Sequence, residues 1–125
     1  MKTAWYVDDD QEMIQAVTLM MSLLDFEVRP FLHPRAAAKA FVNGRPDLLI
    51  LDINMPGVSG IEMLEFIRLR TEYIDLPIIM LSSEYTDAQV DEALAKGADA
   101  FVMKPVTLDE LEEAIQKAFR IRGVS

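Results

Sequence analysis

Five short apolar runs, each followed by a segment of helical period, constrain this chain more than any other feature. They cover residues 3–7, 26–31, 47–51, 76–81 and 100–103. Runs of this length that stay apolar throughout suit strands buried on both faces of a parallel sheet. Between them the period changes. Met13, Ile14, Val17, Met20, Met21 and Leu24 recur at helical spacing, as do Leu108, Leu111, Ile115 and Phe119, which predicts two amphipathic helices. Segments 35–42, 61–70 and 87–96 predict three more. The last of these offers only Ala88, Val90, Ala93 and Leu94, so it should be the most loosely held. Ser59 with Glu62, Thr86 with Gln89 and Thr107 with Glu110 stand at capping-box spacing, and Gly97 suits a helix end.

The pattern βαβαβαβαβα predicts an α/β fold with right-handed crossovers and helices on both faces of a five-stranded parallel sheet. With the strands ordered 2-1-3-4-5, the order reverses between the first and third. Ligands bind such sheets at the carboxyl ends of the strands flanking that point. Those ends carry Asp8-Asp9-Asp10 and Asp52-Ile53-Asn54.

Length and composition fit one domain spanning 1–125: 51% of residues are hydrophobic, 26% charged, and no linker or repeat divides them. The net charge of −9 argues against direct binding to a nucleic-acid backbone and favours metal cations and basic protein surfaces. No secretory leader pattern and no apolar run of membrane-spanning length is present, so a cytoplasmic location is the simplest reading. The absence of Cys excludes disulfides and thiolate metal sites.

In YVDDDQEM, neighbouring carboxylates repel by roughly 4 kcal/mol per pair at ~4 Å in an effective dielectric of ~20. One aspartate can cap the first helix. The others suggest Mg²⁺, which takes one or two carboxylates together with water and phosphate oxygens. Asp52 alone is ordinary strand-end chemistry before Pro56-Gly57; opposite an acidic cluster it becomes a metal-sharing nucleophile for a phosphoryl group. Lys104, before Pro105, can be a solvated lysine, or an ammonium that offsets the acids and meets a phosphoryl oxygen. Ser82 and Ser83 are common loop residues, yet a hydroxyl at the fourth strand's end lies within reach of a group on Asp52. His33, between Leu32 and Pro34, reads as an exposed turn histidine. The methionines at 13, 20, 21 and 63 read as helix core.

Taken together, the acidic pair after the first strand, LLILDINMPGVSG around the third, Ser82 after the fourth and GADAFVMKPV around the fifth resemble the receiver domain of two-component response regulators. The resemblance covers essentially the whole chain and implies a doubly wound, flavodoxin-like three-layer sandwich. It implies that Asp52 is the phosphoacceptor for a sensor histidine kinase or phosphotransfer protein. Asp9 would be a direct Mg²⁺ ligand, Asp8 a ligand through water, and Asn54 a ligand through its backbone carbonyl. Lys104 would pair with the phosphate, while Ser82 and Phe101 would form the switch.

Such a domain is a signalling switch rather than a turnover enzyme. Its readout would be the face formed by the fourth helix, fifth strand and fifth helix, acting on an output domain or target protein. A phosphorylation-dependent homodimer is one form of that output. Family members with winged-helix outputs pair through a basic fifth helix, whereas this one begins Asp109-Glu110-Leu111-Glu112-Glu113. Its basic end, Lys117, Arg120 and Arg122, is left for another partner or a downstream domain. An Asp-nucleophile phosphatase is disfavoured by the missing general-acid pair after Asp52, and a constitutive docking module by the retention of every acid and the lysine.

Overall fold

The computed structural model describes residues 1–125. Its strands are β1 (Lys2–Val7), β2 (Phe26–Phe31), β3 (Leu48–Asp52), β4 (Ile78–Ser82) and β5 (Ala100–Met103). Its helices are α1 (Gln11–Leu23), α2 (Pro34–Ala40), α3 (Gly60–Arg68), α4 (Asp87–Ala95) and α5 (Leu108–Arg122). All strand pairs are parallel and the order is β2-β1-β3-β4-β5, the expected doubly wound α/β arrangement.

Side chains alternate across the sheet into two cores. Trp5, Val7, Leu49, Leu51, Ile78 and Met80 face α2, α3 and α4. Ala4, Tyr6, Leu48, Ile50, Ile79 and Leu81 face α1 and α5. This two-sided burial explains why the strand runs are apolar rather than alternating. Of α4, only Ala93 is buried, so that helix has the thinnest anchorage, as its sequence pattern predicts.

Local chemistry sets the element ends. Asp10 caps α1, its carboxylate accepting from the N–H groups of Glu12 and Met13. Reciprocal capping boxes form at Ser59 and Thr86. At Thr107 the hydroxyl accepts from the Glu110 N–H but donates to the Glu110 carboxylate at 2.8 Å, so the box is altered there. Gly97 follows α4 with φ +110, a left-handed position suited to glycine. The fourth strand starts two residues later than expected, because a 3₁₀ turn at Thr71–Tyr73 holds the Leu76 N–H on the Tyr73 carbonyl.

One expectation needs correction. Arg122 does not face outward with Lys117 and Arg120; it folds back onto the amino edge of the sheet. There the buried Asp99 accepts from Arg122 Nε at 2.7 Å, Arg68 Nη2 at 3.0 Å and the Ile78 N–H at 2.9 Å. Both guanidiniums also donate to the Gly97 carbonyl, each at 2.9 Å. A planar five-donor group can serve a carboxylate and a carbonyl at once, and this satisfies an end of α3, α4 and α5 together.

Candidate functional site

The site lies at the opposite, carboxyl edge, where β1 and β3 adjoin at the reversal of strand order. Sheet hydrogen bonding runs one residue past each strand that contributes to it. The Asp8 N–H donates to the Phe31 carbonyl at 3.0 Å, the Ile53 N–H to the Leu81 carbonyl at 3.0 Å, and the Lys104 N–H to the Ser82 carbonyl at 2.8 Å. Asp8, Asp52 and Lys104 are therefore held by the sheet itself. Lys104 is joined to Pro105 through a cis peptide bond.

Backbone packing closes the site from below. After Asp52 the chain turns through Gly57, at φ +88, and returns so that the Gly60 N–H donates to the Ile53 carbonyl at 3.0 Å. A Cβ on Gly60 would lie 2.1 Å from the Asp52 carbonyl oxygen. Only glycine admits this approach of α3 to the strand that carries the nucleophile candidate.

Carboxylate oxygens of Asp8, Asp9 and Asp52 lie within 4.8 Å of one another. Lys104 Nζ is 2.8 Å from Asp8 and 3.4 Å from Asp52. Three acids against one ammonium leave a local excess of two negative charges. Asp8 is buried and bonded through both oxygens: Oδ2 accepts from Lys104 and from the Tyr6 hydroxyl, and Oδ1 from the Asp10 N–H at 3.0 Å. Asp9 is exposed and its oxygens are open to solvent.

Burial, and then the charge of Asp8, push the Asp52 carboxyl up to about 6, against the opposing pull of Lys104. Burial alone would lower the Lys104 pKa, but the carboxylates of Asp8 and Asp52 outweigh it and hold the ammonium above the usual lysine range. Burial and the bond to Asp8 push the Tyr6 phenol far up, so it is a neutral donor near pH 7. Oxygen-only donors with excess negative charge fit a hard divalent cation such as Mg²⁺.

The remaining expected residues form an adjoining layer. Ser82 is buried, and its hydroxyl donates to the Glu84 carbonyl while accepting from Asn54 Nδ2 at 2.9 Å. Asn54 Nδ2 also reaches the Glu84 carbonyl at 3.1 Å. Phe101 is half-buried on β5, its ring 5.2 Å from Tyr85 in an edge-on contact. His33 stands exposed before α2 and makes no capping bond through its side chain. Sequence reading missed Tyr6, although residues two apart on a strand share a face. It also missed the Asn54 side chain, whose bond to Ser82 leaves no local sequence signal.

The family model for the response regulator receiver domain matches residues 5–116. The phosphate regulon transcriptional regulatory protein PhoB of Rhizobium meliloti is 36% identical over 114 residues, covering 91% of this chain and 50% of that protein. The chain thus spans about half the length of the curated relatives it matches. Among solved structures, response regulator TrrA of Thermotoga maritima in complex with Mg²⁺–BeF aligns with TM-score 0.82 and 33% identity over 94% of this chain and 99% of that one. Chemotaxis protein CheY4 of Vibrio cholerae aligns with TM-score 0.86 and 29% identity over 94% and 98%.

Proposed function

The chain belongs to the response regulator receiver domain family of two-component signalling, and on that footing we propose that Asp52 accepts a phosphoryl group from a phosphohistidine. The donor is a sensor histidine kinase or a phosphotransfer protein. An Asp52 oxygen attacks phosphorus, the N–P bond breaks, and the departing imidazole keeps the electron pair. The observation that carries this reading is the single ammonium shared by Asp8 and Asp52 beside the open carboxylate of Asp9.

Asp9 would hold Mg²⁺ directly, Asp8 through water, and Asn54 through its backbone carbonyl; the excess of negative charge supports a cation here, and the exposure of Asp9 against the burial of Asp8 supports their separate roles. When bound, the cation offsets charge that develops on the transferring oxygens. Lys104 already reaches both acids and moves toward a phosphoryl oxygen as its negative charge arrives at Asp52. Asp8 then keeps the Tyr6 hydroxyl and the Asp10 N–H, which lowers the cost of losing the lysine.

Ser82 carries the response outward. Its hydroxyl leaves the Glu84 carbonyl for a phosphoryl oxygen, drawing in the segment between β4 and α4. Phe101 turns into the space behind it and away from Tyr85. Because α4 buries little, this rearrangement shifts a two-state equilibrium at the α4-β5-α5 face, which an output domain or target protein reads.

The test is incubation with Mg²⁺ and a small acyl phosphate, followed by intact mass and lability measurements. One acid-stable, base-labile adduct is expected on wild type and none on Asp52→Ala. The reading is overturned if wild type stays unmodified or if Asp52→Ala carries the same adduct.

A further inference from the structure

A groove of about 790 Å³ runs between α4 and α5 over β5. Its floor is apolar and accessible: Tyr85 is 40% and Met103 49% exposed, beside the half-buried Phe101 and Val90. Its rim is acidic. Asp87 and Asp91 line the α4 side, Glu110 and Glu113 the α5 side, and Lys117 is the one cation. Four acids and one lysine sum to −3. Neither Asp91 nor Glu113 has an ion-pair partner, whereas the Glu65 and Glu92 carboxylates meet Lys96.

From this charge distribution we propose that the groove receives a cationic amphipathic helix of another protein, its apolar ridge on Tyr85 and Met103 and its Lys or Arg flanks against the two acidic rims. The inference rests on the reading of this face as the readout surface and adds the chemistry of what reads it. A trough between two helices fits a third helix by its apolar face. The flanking acids steer a basic segment in and reject an acidic one. A second copy is a poor occupant, because two-fold pairing would set −3 against −3. Nucleic acid and anionic membrane are repelled by the same rim. The Tyr85–Phe101 contact forms part of the floor, so movement of Phe101 reshapes the surface on which the helix rests.

Two labelled peptides with one common apolar helix face, flanked by Lys in one and Glu in the other, are titrated against the whole chain by fluorescence anisotropy. The Lys peptide should bind and the Glu peptide should not. The double variant Asp91→Lys/Glu113→Lys should weaken Lys-peptide binding at least about ten-fold. Asp109→Lys/Glu112→Lys makes the same change in net charge outside the groove lining, and should cost about two-fold or less at physiological salt. Equal losses in both variants, no preference between peptides, or a doubled mass by light scattering on phosphorylation would each overturn the proposal. The Asp52 adduct is measured on the same samples. An adduct without peptide selectivity defeats only this inference, while a missing adduct defeats the functional reading beneath it.

Discussion

The two edges of the sheet use the same ingredients in opposite proportion. At the amino edge one buried carboxylate, Asp99, is held by two guanidiniums and a backbone N–H. At the carboxyl edge two of three clustered carboxylates, Asp8 and Asp52, share one ammonium and Asp9 has none. The first arrangement is complete, and adding a ligand would break bonds. The second is short of positive charge, and a cation or a displaced lysine changes its energy. An anchor and a candidate binding site are thus distinguished by the balance of charge and donors rather than by burial, since Asp99, Asp8 and Asp52 are all buried.

The sharpest way to break this comparison is Asp99→Ala, which leaves two guanidiniums facing each other with no carboxylate. It should cost about 3–5 kcal/mol in urea unfolding; a loss below about 1 kcal/mol would remove the claim that this edge is the anchor. Burial raises the Asp99 carboxyl too, but two guanidiniums and the Ile78 N–H oppose it, whereas at the other edge Asp52 faces one ammonium and the added repulsion of Asp8. Asp52 has its carboxyl raised from 3.8 to about 6, so its contribution is fully present below pH 4 and is lost as pH rises through 6. Without added divalent cation, Asp52→Asn should therefore stabilise the protein at pH 7 by on the order of 2–3 kcal/mol, with no gain near pH 4. A pH series of unfolding curves reads this directly, and a destabilised variant at pH 7 would contradict it.

Smaller effects sharpen the same contrast. Tyr6→Phe removes one donor from the buried Asp8 carboxylate and should cost about 1.5 kcal/mol by chemical denaturation; an unchanged midpoint would mean that Lys104 and the Asp10 N–H suffice. Mg²⁺ at ten times its dissociation constant should stabilise wild type by about 1.4 kcal/mol. The same addition should leave Asp9→Asn nearly unmoved at that concentration. Equal thermal shifts in the two proteins would separate the stabilisation from Asp9.

Much of the site was legible in the sequence because its residues stand at strand ends. Asp8 and Asp9 follow β1, Asp52 closes β3, Ser82 closes β4 and Lys104 follows β5, and topology brings those ends to one edge. The weak hold on α4 was legible from its few apolar positions. The role of Arg122 was not, since a basic residue in the last turn of a helix is equally at home in solvent. Its partner Asp99 lies 23 residues earlier, beyond any local periodicity. Asp10, by contrast, starts α1 through contacts within three residues, which spacing alone can suggest.

By itself the sequence determined the order of elements, their two-sided burial and which residues reach the carboxyl edge. These follow from continuous apolar runs, from the 3.6 period and from caps, all short-range properties of the chain. Tertiary structure alone decided the pairings. Lys104 sits closer to Asp8 than to Asp52, the Ser82 hydroxyl is tied to Glu84 and Asn54, and the two guanidiniums on Asp99 join the ends of three helices through the Gly97 carbonyl. Such choices depend on ångström distances between groups from different elements, and on which charges lose their water together. Spacing along the chain encodes neither.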